Sequence, residues 1–172
     1  MKRTIRIKSV LPYKPELVWQ AITDAKLLGK WFMENDFEPL MNHEFTFHMA
    51  PQKGWDGITH CKVTELEAGK KIAYTYRGFA SGEKTLACAG IHSEAADKVG
   101  KGIFAELDTV LKFTLEPTCG NSTILYMDHS GYKGLKLVIV SLVMGMGWKK
   151  QLHKKLPRVL EQMAKEEIAK SA

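Results

Sequence analysis

The stretch Pro15-Glu16-Leu17-Val18-Trp19-Gln20-Ala21-Ile22-Thr23-Asp24, followed by Leu27-Leu28-Gly29-Lys30-Trp31-Phe32, places two short helices between a first strand and everything after it. Val18, Trp19 and Ile22 fall on one helical face, as do Leu27, Leu28, Trp31 and Phe32. Pro15 suits a first helical position, where the N–H it lacks has no partner anyway, and Asp24 suits the cap of the second helix. Few folds interrupt a sheet this way after a single strand, so the segment narrows the architecture before any other residue is read.

Residues 4–10 alternate with period two and form the first strand; residues 43–49 repeat the pattern, with Phe45, Phe47 and Met49 on one face. Residues 57–67 and 71–77 read as a hairpin across Glu67-Ala68-Gly69-Lys70. Residues 106–115 and 122–130 form a second pair, joined through Pro117-Thr118-Cys119-Gly120-Asn121. Successive strands with short turns predict an antiparallel sheet. From Leu135 the period turns helical: Val138, Leu142, Trp148, Leu152, Leu156, Val159 and Met163 drift slowly round one face, so 133–168 is a long last helix. Pro157 removes the bond to the His153 carbonyl and predicts a kink or break there. Residues 78–105 hold no sustained period and read as an insertion loop, with a short helix expected over 87–99; the segment is either a lid or rim over a cavity or a surface insertion. Nothing divides the chain, and residues 1–172 make one α+β domain.

The apolar fraction of 45% and charged fraction of 26% are those of an ordinary globular protein. Its longest apolar stretch, 137–148, is broken by Ser141, Gly145 and Gly147 and falls short of the about 20 residues a bilayer crossing needs, so no membrane span is expected. No signal peptide is apparent. Cys61, Cys88 and Cys119 cannot all pair and lack metal-type spacing; reduced thiols in the cytoplasm are expected. Much of the formal charge of +6 sits in Lys149, Lys150, His153, Lys154, Lys155 and Arg158 on the last helix, as a solvated face or a surface for an anionic partner. Without interleaved aromatics, helix-turn-helix or zinc-finger spacing, nucleic acid is not an expected partner.

The order of elements resembles the START-like helix-grip (SRPBCC) superfamily. Within it, Val18-Trp19-Gln20-Ala21-Ile22-Thr23-Asp24 with Leu28, Trp31 and Phe32 resembles the family of homologues of the activator of the heat-shock protein 90 ATPase, and His129-Ser130-Gly131-Tyr132 is similar to that family's H-x-G-[FY] ending before the last helix. The resemblance implies a curved antiparallel sheet around a long C-terminal helix, with a cavity that holds a small apolar or amphipathic molecule. It also implies two other roles: a co-chaperone or stress-response module reaching a chaperone through the basic last helix, and an enzyme of the cyclase or dehydratase type. The activator carries a further N-terminal domain, whereas this chain opens on the strand, so the resemblance is to its C-terminal type of domain.

For the ligand cavity the candidate residues are Phe45, Phe47, Tyr74, Tyr76, Phe113, Met127 and His129 on strands, with Trp148 and Leu152 on the helix. Each aromatic or aliphatic member serves equally well as plain core. Period two places His129 on the face of Leu125 and Met127, where an imidazole orients a polar ligand group, acts as a base, or bonds to backbone at the cavity mouth. Gly131 and Gly134 are expected in the turn into the helix. An enzyme needs a titrating pair, for which His129 with His60 or Tyr76 is the candidate. There is no G-x-S-x-G elbow, phosphate loop or H-E-x-x-H. Cys88 and His92 make two ligands at most; Glu34, Asp36 and Glu38 read as a solvated loop and Asp56 as a turn residue. No catalytic residue, cofactor or metal is assigned. A strand edge or the apolar 135–146 stretch allows a homodimer as well as a monomer.

Overall fold

The computed structural model describes residues 1–51, 55–80 and 106–171. The remainder of the insertion, with the 87–99 helix and the Cys88 and His92 pair, lies outside the described residues, while 78–80 belong to a strand. In chain order the elements are β1 (Lys2–Leu11), α1 (Pro15–Thr23), α2 (Ala25–Trp31), β2 (Glu34–Asn35), β3 (Glu44–His48), β4 (Trp55–Glu67), β5 (Lys71–Ala80), β6 (Asp108–Thr118), β7 (Ser122–Lys133) and α3 (Gly134–Lys150), then a π-helical turn (Gln151–Lys155) and α4 (Leu156–Ser171). The seven strands form one antiparallel sheet in the order β1-β7-β6-β5-β4-β3-β2, curved around the C-terminal helix in an α+β helix-grip arrangement.

Alternation decides which face of each strand is buried. On β1, Ile5, Ile7, Ser9 and Leu11 point inward while Arg6, Lys8 and Val10 stay exposed. α1 and α2 carry the chain from β1 at one edge of the sheet to β2 at the other, across its open end. Val18, Ala21, Ile22, Leu28 and Trp31 are buried there, and Trp31 donates its indole N–H to the Ala21 carbonyl at 2.8 Å, so the plug leaves that polar group satisfied. Asp24 Oδ1 accepts from the Leu27 N–H at 2.9 Å, a cap that stabilises α2 by about 1 kcal/mol.

Two glycines set where the strands bend. Gly131 lies inside β7, not in a turn to the helix: φ is +105°, and the register with β1 slips there, from Arg3 opposite Tyr132 to Thr4 opposite Ser130. A Cβ at this position would lie 3.0 Å from the Asp108 carbonyl and the Thr109 Cα, so only glycine fits the bulge. The extra residue breaks period two, and His129 and Tyr132, three apart, both face inward and are fully buried. Gly57, with φ +85°, lets β4 pass so close to residue 49 that a Cβ would collide with the Met49 carbonyl.

The long helix departs from the expected stripe. Ser141 and Gly145 are buried, Leu142 is 49% exposed, and the Gly145 Cα side lies against Ile5 of β1. Small residues let the first turns of α3 approach the sheet closely, which rotates Val140 and Trp148 inward and Leu142 out. Beyond it, Leu152, Leu156 and Leu160 are fully buried. The expected break is a widened turn just before Pro157. The Leu156 N–H bonds to the Gln151 carbonyl, five residues back, because Pro157 supplies no N–H and its ring crowds the preceding carbonyl.

Candidate functional site

Where α3 and the π-helical turn cross the β2–β5 half of the sheet, the side chains do not close up, and a cavity of about 600 Å³ remains. One wall is aromatic. Phe32, ending α2, stacks on Trp148 with centroids 4.5 Å apart and planes at 24°, and sets its edge against Phe47 at 4.9 Å. Asn35 holds this wall in place: its amide donates to the Ala25 and Met33 carbonyls, and its oxygen accepts from the Phe37 N–H, tying β2 to α2. Trp55 and Thr59 of β4, Tyr76 of β5 and Leu107 form the floor, and Met144, Gly147 and Gln151 the helix side. His48, Met49, Val143 and Lys155 are exposed residues at the rim.

Trp148 owes its orientation to a buried relay centred on His129. The indole N–H of Trp148 can only donate, and it meets His129 Nδ1 at 3.1 Å, so that nitrogen carries the lone pair. The Thr109 hydroxyl donates to the Tyr76 carbonyl at 2.9 Å and therefore accepts from His129 Nε2–H at 2.8 Å. The imidazole is thus neutral, and burial pushes its pKa down to about 3. The Tyr132 hydroxyl sits 3.0 Å from the same Nδ1 and donates to Met144 Sδ at 3.3 Å. Two residues of β7 thus hold two helix residues that line the cavity.

This geometry leaves His129 no lone pair for a substrate. His60 stands on the opposite face of the sheet from Tyr76, in a separate groove of about 350 Å³ with Asp36, Thr46, Lys62 and Arg77. There the charges satisfy one another. Lys62 pairs with Glu44 and Arg77 with Asp108. Burial raises the Asp36 carboxyl, but hydrogen bonds from the Thr46 N–H at 2.6 Å and hydroxyl at 3.0 Å more than offset it and leave the group below its ordinary range. Among the described residues, no cluster of three or more His, Cys, Asp or Glu side chains is arranged to hold a metal ion, and no helix is long and apolar enough to cross a membrane.

Of the residues singled out from sequence, Tyr76 and Trp148 line the cavity. Phe45, Phe47, Tyr74, Phe113, Met127 and Leu152 are buried in the core behind it, and His129 organises its wall from behind. The lining also includes Phe32, Met33, Trp55, Thr59, Met144 and Gln151, which the sequence reading left out of the cavity. A signal existed for Gln151 and Lys155: they follow Trp148 at i+3 and i+7, the spacing of one helix face.

A family model described as "Activator of Hsp90 ATPase homolog 1-like protein" matches residues 12–161. A crystal structure of a Mesorhizobium loti protein is similar, with 28% identity and a TM-score of 0.71 over 93% of this chain and 98% of that one. A solution structure from Bacillus halodurans has 21% identity and a TM-score of 0.65, covering 93% and 99% of the two chains. One from Arthrobacter aurescens has 14% identity and a TM-score of 0.66, covering 92% and 86%. The last two carry the fold alone. No curated protein matches the sequence at a significant level.

Proposed function

The chain belongs to the Activator of Hsp90 ATPase homolog 1-like family, and from that premise and the cavity we propose that it binds a small apolar, aromatic or lipid-like molecule between the sheet and the C-terminal helix. One observation carries the reading: a cavity of about 600 Å³, within the range that holds small organic ligands, is walled by the stacked Phe32 and Trp148 and floored by Trp55 and Tyr76. The reading includes a cytoplasmic setting, which the unpaired thiols of Cys61 and Cys119 fit.

Native mass spectrometry of the purified protein, followed by thermal-shift screening of aromatic compounds and lipids, tests it. A bound compound raises the melting temperature of the wild type. Gly147 offers a matched control, because nothing lies within 4 Å of where its Cβ would be. Gly147→Phe fills the cavity from the helix side, keeps the fold, and removes the ligand-induced shift. No shift with any compound would refute the proposal.

A second reading rests on the helix surface. Lys149, Lys150, His153, Lys154, Lys155 and Arg158 are all exposed, as an interaction module for an acidic partner such as a chaperone requires. Reversing the charges at Lys150, Lys154 and Arg158 then abolishes partner capture; unaltered recovery counts against it.

A further inference from the structure

α3 is apolar on two sides. One side is buried against the sheet at Val140, Gly145 and Trp148. On the opposite side Leu135, Ile139, Leu142, Val143 and Met146 recur at the spacing of a single helix face, and each is between 49% and 68% exposed. From Leu137 to Gly147 the only polar side chain is that of Ser141, which is buried, so no polar side chain faces outward over these turns. A helix apolar all round is ordinarily buried, and a solvent-facing apolar row of this length marks a contact surface.

The charge around the stripe decides what it contacts. From Gly134 to Lys155 there is no Asp or Glu, while Lys136, Lys149, Lys150, Lys154 and Lys155 are all exposed. Lys136 pairs with Glu106, but among the described residues no ion pair engages the other four. A second copy of the chain would set these lysines against a face that carries no carboxylate, so self-association gains no charge partner. An anionic bilayer meets both demands: its acyl chains take the apolar row, and its headgroups meet the lysines, whose long stems let the charge reach them. We propose that α3 is a membrane-docking helix that lies in the surface of a bilayer containing anionic lipid. No helix among the described residues is long and apolar enough to cross a membrane, so the contact is with one leaflet. Val143 belongs both to the stripe and to the cavity rim, so docking turns the cavity mouth toward the lipid. The inference goes beyond the ligand reading: docking is expected whether or not the cavity is filled, and either can fail alone.

Vesicle flotation of the full chain tests it, with phosphatidylcholine vesicles and with vesicles in which about 30% of the lipid is phosphatidylserine, a content that gives the surface its negative potential. Wild type is expected to bind the anionic vesicles at least tenfold more tightly than the neutral ones, and less so as salt is raised. Ile139→Asp with Met146→Asp abolishes flotation while leaving the melting temperature unchanged, because both side chains are exposed. Lys149→Gln with Lys150→Gln weakens binding to the anionic vesicles at least tenfold. Absence of wild-type flotation, equal binding to the two vesicle types, or binding that survives either pair of substitutions overturns the proposal. So does a wild-type dimer in analytical ultracentrifugation that the aspartates dissociate, since the stripe then belongs to a second copy. The lysine pair, which removes no apolar contact, decides the matter even where the aspartate variant misfolds.

Discussion

Acidification probes the relay that holds Trp148. His129 has an ordinary pKa of 6.5 and is pushed down to about 3 by burial. As pH falls through 6.5, the unfolded chain takes up a proton there and the folded protein does not, so stability is complete above that pH and drains away progressively toward 3. Between pH 7.5 and 5.0 this one group removes about 2 kcal/mol, at about 1.4 kcal/mol per pH unit once the unfolded imidazole is titrated. Gln in place of His129 keeps a donor for Thr109 and an acceptor for Trp148 but does not titrate. Urea unfolding followed by tryptophan fluorescence, run on wild type and His129→Gln at both pH values, isolates the contribution. Carboxylates held below their ordinary range by hydrogen bonds, such as those of Glu65 and Glu161, act in both proteins alike. The variant is expected to be the less stable at pH 7.5 and to converge on wild type by pH 5.0, its acid loss being about 2 kcal/mol smaller. Equal losses in the two proteins would mean that His129 is not held neutral in the fold, and the tautomer argument would fall with it.

Gly131→Ala places a Cβ in a bulge with φ +105° and contacts of 3.0 Å, and is expected to lower unfolding free energy by roughly 2 kcal/mol, read as a lower urea midpoint. Asp24→Ala removes the cap on the Leu27 N–H and costs about 1 kcal/mol, with an unchanged urea slope; no loss means that the cap contributes nothing. Pro157→Ala restores the missing N–H and relaxes the π-helical turn, so stability rises by about 1 kcal/mol while Gln151 rotates away. Affinity for a cavity ligand should then fall at least fivefold in the same thermal-shift assay, and an undiminished affinity would dissociate the turn from binding.

Much of the fold was legible because its signals are local. Alternation in residues 4–10 and 43–49, the Glu67 to Lys70 turn and the Asp24 cap each depend on neighbours a few positions away, and β1, β3, the β4–β5 turn and α2 appear where those patterns put them. The candidate site was legible only in part. Trp148 and Tyr76 were readable as inward-facing aromatics, but the same pattern marks Phe113 and Met127, which pack in the core. Inward-facing is a property of one strand or helix, whereas lining a cavity depends on what the opposite element fails to fill. Phe32 shows the difference: on its helix it reads as part of the plug, yet it becomes a cavity wall because Trp148, far along the chain, stacks on it.

The sequence by itself determined the order of elements apart from β2 and the buried face of most strands, since spacing and caps act within a turn or a strand pair, while the helix-grip architecture came from the family resemblance. Three matters were decided by tertiary structure. The bulge at Gly131 turns Tyr132 inward beside His129, against period two, because β1 pairs on both sides of the extra residue. Ser141 and Gly145 bring α3 down onto β1, and so Leu142 faces outward. The widened turn before Pro157 sets the phase of Gln151 against the cavity. The first two depend on contacts between residues distant in the chain, whose geometry no local period encodes; the turn itself is local and was announced by Pro157, but which residues it sets against the cavity depends on the sheet opposite.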